Sequence, residues 1–377
     1  MNMTLLFTYD ISLKEWNDKG LFDRELLIYR RLIQKSCRIN FVTYGGADDL
    51  KYIETAGSIK IYPVYTKIKK YKYEILNILG ALLIPFKFKE AFISADVIKA
   101  NQMNGSWVGV MVKWLYRKKL VVRCGFEWYR NAYTRRKKSF SFFKNAIAWF
   151  LEWIVYKFCD QIIISNQSDI DFVKKNFRIS DRKIHLIRNF VDTEQFKPLD
   201  IQKKEDRILY IGRLDSRKNI LNVLKAVKNT PYCLDIIGAG EQEGELKEFA
   251  MKNSLNVELM GIVPNHRLPE LINRYSVAIL ASYYENSPKS LLEEMSCGIA
   301  VIGTDVPGIN EIIKHKENGI LCDIDSLSIK KAIEAVMCDR VLREKISKNA
   351  RLYVIENCSL DNILKKEIEV YNLLIKK

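Results

Sequence analysis

Residues 277–298 constrain the fold more than any other stretch of this chain. Val277, Ala278, Ile279 and Leu280 form an apolar run without alternation, the pattern of a strand covered on both faces. A short polar loop with Glu285 follows, and then Ser287 and Pro288, which predict the N-cap and first residue of a helix. The start of the chain has the same order: an apolar run at 4–8, a loop ending at Gly20, and helical spacing of Leu21, Leu26, Leu27, Tyr29 and Leu32. Strand, loop and helix in that order open a doubly wound α/β domain.

The junction at 284–298 also carries chemistry. The first helical turn, with Pro288, Lys289, Ser290 and Leu291, has amides lacking carbonyl partners within the helix, at the positive end of its dipole. Such a helix start binds phosphate. Glu293 follows Lys289 by four residues and Ser290 by three, on the same face, where a carboxylate accepts bonds from two sugar hydroxyls. Glu285 sits in the loop at the strand's carboxyl end, where ligands of open α/β sheets bind. Isolated, both glutamates would read as solvated surface charges; the cap, the proline and the strand-end position together favour a site.

At 377 residues the chain suits two α/β domains better than one core, with the first over 1–199 and the second over 200–360. A polar run at 200–206 reads as the linker. The net charge of +16 is uneven. Residues 1–200 hold 35 Lys and Arg against 20 Asp and Glu, whereas 201–377 hold 26 against 25. The first domain is therefore expected to face something anionic, either a membrane surface or nucleic acid. No uncharged run approaches the roughly 18 apolar residues that span a bilayer, and the start of the chain has no signal peptide, so the expected location is cytoplasmic. The eight cysteines form no C-x-x-C pair and the three histidines are scattered, so buried thiols are expected and a histidine-built metal site is not.

Basic residues Arg130, Arg135, Arg136, Lys137 and Lys138 run into Phe140, Phe142, Phe143, Trp149, Phe150 and Trp153. Cations beside aromatics suit an anionic bilayer surface; a core helix with a solvated basic face is the plainer alternative. In the second half, Gly212, Arg213 and Lys218 follow the apolar run 208–211. Glycine at a strand end lets backbone approach a ligand, and the two cations can neutralise a diphosphate as its bond to a sugar breaks. Gly238, in a G-x-G at the end of another run, belongs to the same kind of strand end.

The sequence from Glu285 through Glu293 to Gly298 resembles the signature of glycosyltransferase family 4: Glu, seven residues, Glu, a proline three after the first acid, and a Met-Ser-Cys-Gly ending. Asn189, Val191 and Asp192 before Phe196 and Pro198 resemble the close of that family's first domain, with Phe190 where glycine is usual. The resemblance implies a GT-B fold of two Rossmann-like domains facing across a cleft, with the final helix, 361–375, returning to the first. It implies retaining, metal-independent transfer of a sugar from a nucleotide-diphosphate donor, with no cofactor, to an acceptor such as a lipid-linked saccharide in cell-surface polysaccharide synthesis. Glu285 would lie against the sugar, Glu293 would hold the ribose, and Arg213 and Lys218 would bind the diphosphate. Ser287, Pro288, Lys289, Ser290 and Leu291 would supply the helix start, and Gly212, Gly238 and Val263 would line the nucleotide.

On the acceptor side, Lys14, Trp16 and Gly20 resemble the first loop of one subgroup, with ordinary loop packing and solvation as the alternative. Arg123 and Glu127 lie where the family lines its acceptor pocket, or form a structural salt bridge. The competing functions are an epimerase on the same fold and a basic nucleic-acid-binding protein.

Overall fold

The structure, a computed structural model, describes the backbone of residues 1–125 and 141–375, with the side chains of 1–125 and 146–375. Its contacts divide into two units, Met1–Ile187 with Leu364–Lys377, and Arg188–Ile363. Each is a doubly wound unit built on one parallel sheet, as expected for the halves of a GT-B fold.

In the first unit the strands are β1 (Asn2–Leu6), β2 (Arg38–Thr43), β3 (Lys60–Pro63), β4 (Val97–Ala100), β5 (Lys119–Cys124), β6 (Gln161–Ile164) and β7 (Ile184–Leu186). Their order across the sheet is β3-β2-β1-β4-β5-β6-β7, all parallel. The chain leaves β1 toward β2 and β3 and then returns to β4 on the other side. Ligands of such sheets bind at that reversal. The two exit loops meet there: Tyr9 donates its amide to the Asn104 carbonyl at 3.0 Å. Gly105, at φ 95°, lies where a Cβ would press on the Tyr9 backbone.

The loop expected at 9–20 contains a short helix, Leu13–Asp18, with Ser12 as its N-cap. Trp16 on it is buried and stacks on Phe7 at 4.5 Å, with Phe41 at its edge. Of the two readings of Trp16, packing is the one present. Its indole replaces water contact with aromatic packing.

In the second unit the strands are β8 (Lys204–Ile211), β9 (Cys233–Ile237), β10 (Val257–Gly261), β11 (Tyr275–Leu280), β12 (Ala300–Thr304) and β13 (Ile320–Cys322). Their order is β10-β9-β8-β11-β12-β13, again parallel, with the reversal between β8 and β11. β9 and β12 are buried along their whole length, as a sheet covered on both faces requires.

Two boundaries differ from expectation. The polar run 200–206 is not wholly linker, because β8 already begins at Lys204. The cations Lys204 and Arg207 of this strand are absorbed by Asp235, fully buried on β9, which accepts from them at 3.2 Å and 2.8 Å and from the Tyr275 hydroxyl at 2.5 Å. The units also part before Arg188, not at 199. The intervening segment is hydrogen-bonded into the second unit: Val191 donates to the Cys358 carbonyl at 2.9 Å, and the Ser296 hydroxyl donates to the Phe196 carbonyl at 2.5 Å.

The last helix is Leu360–Ile375, and from Leu364 it belongs to the first unit. Glu367 on it is buried and accepts from Lys99 of β4 at 2.7 Å and Arg123 of β5 at 2.6 Å. Of the two readings of Arg123, the ion pair is the one present. Among the described residues, no helix is long and apolar enough to cross a membrane.

Candidate active site

The second unit brings its sequence-predicted residues together where β8 and β11 lie side by side. β8 ends at Ile211, and the chain runs on through Gly212 and Arg213 to a single 3-10 turn, Ser216–Lys218. β11 ends in the loop carrying Glu285. The Tyr283 amide donates to the Arg217 carbonyl at 2.8 Å, which fastens one loop to the other. As a result Lys218 forms an ion pair with Glu285, 67 residues away, and both side chains are largely buried. The Ser282 hydroxyl donates to the same Glu285 oxygen, Oε1, at 2.6 Å. A cation and an acid assigned to opposite parts of a sugar diphosphate thus compensate each other across the strand ends.

Glycines let these loops approach. A Cβ on Gly238, at φ 143°, would collide with the Gly212 carbonyl, and the Gly238 amide donates to the Gly261 carbonyl at 2.8 Å. On the far side, a Cβ on Gly308 would collide with the Glu285 carbonyl, while the Glu285 amide donates to the Pro307 carbonyl at 3.2 Å. Under Gly212 lies Tyr210, fully buried, whose hydroxyl donates to the Arg213 carbonyl at 3.1 Å. Burial, and then the charges of Glu285, Asp215 and Glu294, keep that phenol well above its ordinary pKa and hence a donor. Arg213 is exposed, 3.7 Å from Asp215, and Asp215 also takes Arg217 at 2.7 Å. Burial works against ionising Asp215, but the hydrogen bonds and charge of Arg217 and the charge of Arg213 together outweigh it and lower its pKa.

The helix after β11 is Lys289–Ser296. It begins one residue later than expected: Pro288 is the N-cap, with extended backbone, and Ser287 lies outside it. Ser287 is not the cap because it is engaged elsewhere: its hydroxyl and carbonyl accept from the Asn189 amide at 3.2 Å and side chain at 2.7 Å. The first intrahelical bond there runs from the Leu292 amide to the Pro288 carbonyl at 3.3 Å, so the amides of Lys289, Ser290 and Leu291 have no acceptor one turn back within the helix. The Leu291 side chain is core, leaving only its backbone for a ligand. The Lys289 ammonium lies over the Phe190 ring at 5.7 Å, so the residue replacing the usual glycine has a partner of its own.

Glu293 is buried and accepts from the Asn265 side chain at 3.2 Å. Asn265 follows half-buried Val263 in the loop after β10. Its sequence surroundings gave no signal of this contact. Glu294 is buried too, and its Oε2 has no hydrogen-bond partner among the described residues. Desolvation, then the neighbouring Glu293 charge, raises its pKa well above 4.5.

The acceptor-side candidates do not converge in this way. Lys14 is exposed and pairs with Asp18 at 2.5 Å, and Gly20, at φ 65°, follows the end of the short first helix with open space around it. Arg123 is held by Glu367, and Glu127 lies outside the described residues.

With this geometry in place, comparison with known proteins is informative. Residues 191–353 match the family model for glycosyl transferases group 1, and residues 26–195 match that for glycosyltransferase family 4. An uncharacterized glycosyltransferase of Methanocaldococcus jannaschii is 28% identical over 244 residues, 59% of this chain and 62% of that one. A Campylobacter jejuni α-1,4-N-acetyl-D-galactosaminyltransferase acting on a diphospho-undecaprenol-linked saccharide is 29% identical, over 56% of this chain and 60% of that one. The matched region thus spans about three fifths of these relatives' own length. Sucrose-phosphate synthase of Thermosynechococcus elongatus has a similar fold, with a TM-score of 0.83 and 17% identity over all of both chains. Between them the two family models account for residues 26–353, and the chain belongs to the group 1, family 4 glycosyltransferases.

Proposed function

We propose that the protein transfers a sugar, with retention at the anomeric carbon, from a nucleotide-diphosphate donor to the hydroxyl of a lipid-linked saccharide. The observation that carries this is the Lys218–Glu285 pair at the sheet reversal, beside the start of helix Lys289–Ser296. On donor binding, Lys218 exchanges its carboxylate partner for the diphosphate, together with Arg213 and the first-turn amides. Glu285, released, faces the sugar and stabilises positive charge at the anomeric carbon. Glu293 accepts from the ribose hydroxyls, and Gly212, Gly238 and Val263 line the nucleotide. The bond from the anomeric carbon to the diphosphate oxygen breaks, the acceptor oxygen bonds to the same face, and its proton passes to the leaving phosphate.

In this reading the protein's own cations and amides neutralise the leaving group, and neither a metal nor a cofactor is required. The acceptor class is suggested by the relative from Campylobacter jejuni, whose name gives an undecaprenol diphosphate acceptor. A cytoplasmic, peripheral enzyme at an anionic membrane would meet such an acceptor, and the basic excess of residues 1–200 suits that surface better than nucleic acid.

Incubation with UDP-, GDP- and ADP-sugars, followed for slow donor hydrolysis, tests the proposal and identifies the donor. An epimerase would instead alter the donor sugar without any acceptor. DNA binding that weakens steeply with salt, with no donor turned over, would indicate the nucleic-acid alternative.

A further inference from the structure

In the first unit, the helices Glu74–Ala81 and Ile84–Lys87 are joined by two residues, Leu82 and Leu83, that keep right-handed helical backbone. Ile78, Ala81, Ile84, Pro85 and Phe88 turn inward, and Phe88 is fully buried. The opposite stripe is also apolar. Ile75 is 69% exposed, Leu79 55%, Leu83 48% and Phe86 57%, with Leu76 and Leu82 beside them. Their spacing of four, four and three residues puts them on one helical face. A helical segment apolar all round is ordinarily buried, in a protein core or in lipid, and here one side is left to solvent.

The rim of this face is basic. Lys67, Lys69, Lys70 and Lys72 precede it and Lys87 and Lys89 follow it, against Glu74 and Glu90 as the only acids between 67 and 90. Lys67 pairs with Glu90 at 3.0 Å and contacts the Lys87 carbonyl at 3.3 Å, so the two basic flanks lie together. Lys69 lies over Tyr71 at 5.5 Å, and Tyr71 and Tyr73 are exposed beside it. The Tyr116 hydroxyl, donating to the Pro85 carbonyl at 2.8 Å, anchors the second helix to helix Ser106–Tyr116 beneath. An apolar centre, interfacial tyrosines and a lysine rim on an anchored segment match the layers of an anionic bilayer: acyl chains, headgroup boundary and phosphates.

We propose that residues 71–89 are a membrane-docking face that inserts its apolar stripe into the headgroup boundary of an anionic bilayer. The segment is separate in sequence from the basic and aromatic stretch at 130–153. It deepens the proposed lipid-linked acceptor by naming the surface that reaches the lipid, and rests on that reading only for its purpose. A second copy of the chain is the other occupant such a face could take. The lysine rim opposes this, since two copies would bring like charges together.

The test is cosedimentation with vesicles of phosphatidylglycerol and phosphatidylcholine, against phosphatidylcholine alone, without donor; donor hydrolysis is measured separately without vesicles. Wild-type protein is expected to bind the anionic vesicles. Ile75→Ser, Leu79→Ser, Leu83→Ser and Phe86→Ser combined should weaken binding at least tenfold, with unchanged melting temperature and donor hydrolysis. Lys69→Gln, Lys70→Gln and Lys72→Gln combined should weaken it on anionic vesicles while leaving the weak binding to neutral ones. Failure of wild-type protein to bind, or binding by both variants undiminished from wild type, overturns the proposal, as does a dimer in sedimentation velocity that the serine variant dissociates. Loss of donor hydrolysis in the wild type with vesicle binding intact would instead refute the proposed function alone.

Discussion

Lys218 and Glu285 neutralise each other, so each is available to a ligand only by exchange. Lys218→Ala should lower turnover more than donor affinity, because the diphosphate gains charge in the transition state; single-turnover rates beside donor Kd decide this. Glu293→Ala should weaken donor binding by about 1–3 kcal/mol through lost charged hydrogen bonds; an unchanged Kd in calorimetry would end its ribose role. Glu294 behaves oppositely, because a buried acid with a raised pKa takes up a proton on folding. Below 4.5 both folded and unfolded forms are protonated and the residue is neutral to stability; as pH rises above 4.5, stability falls until Glu294 ionises. Glu294→Gln should remove this slope, visible in urea unfolding between mildly acidic and neutral pH.

Among the elements, the last helix is tied to β4 and β5 by one buried carboxylate as well as by its apolar face. Burial opposes ionisation of Glu367, but Lys99 and Arg123 overcome it and hold its pKa at about 2. Its contribution is present above 4.5 and is lost as pH falls from there through about 2. Glu367→Gln should cost about 3–5 kcal/mol at neutral pH by leaving Lys99 buried without its counter-charge, measurable as a lowered urea midpoint. Local pattern located the helix to within a residue: the proline at the start of Lys289–Ser296 was legible, but the partner that takes Ser287 away from capping was not. In β8 the charged residues hid the start of the strand, because the acid that accepts Lys204 and Arg207, Asp235, lies on another strand.

For the whole molecule, the excess positive charge over residues 1–200 predicts binding to anionic vesicles that weakens with salt as screening shortens to a few ångströms. Replacing Arg135, Arg136, Lys137 and Lys138, which lie outside the described residues, with glutamine should reduce this binding, and equal cosedimentation would remove their part in it. The apolar face at 71–89 escaped the sequence reading for a different reason. A hydrophobic helical segment reads as core unless its neighbours are known, and only the packing reveals the side left uncovered.

The order of strand, loop and helix, and with it the α/β class, was fixed by local periodicity. So was the spacing of Glu285 and Glu293 about a proline-led helix, because those signals operate within a turn or two of chain. Tertiary structure decided the partners. Lys218 meets Glu285 because β8 and β11 are neighbours in the sheet, Trp16 is core because Phe7 and Phe41 flank it, and Glu294 is buried on a helix that packs against β12 and the helix Arg340–Cys358. Strand order and side-chain burial arise from contacts between distant segments, which no local run of residues specifies.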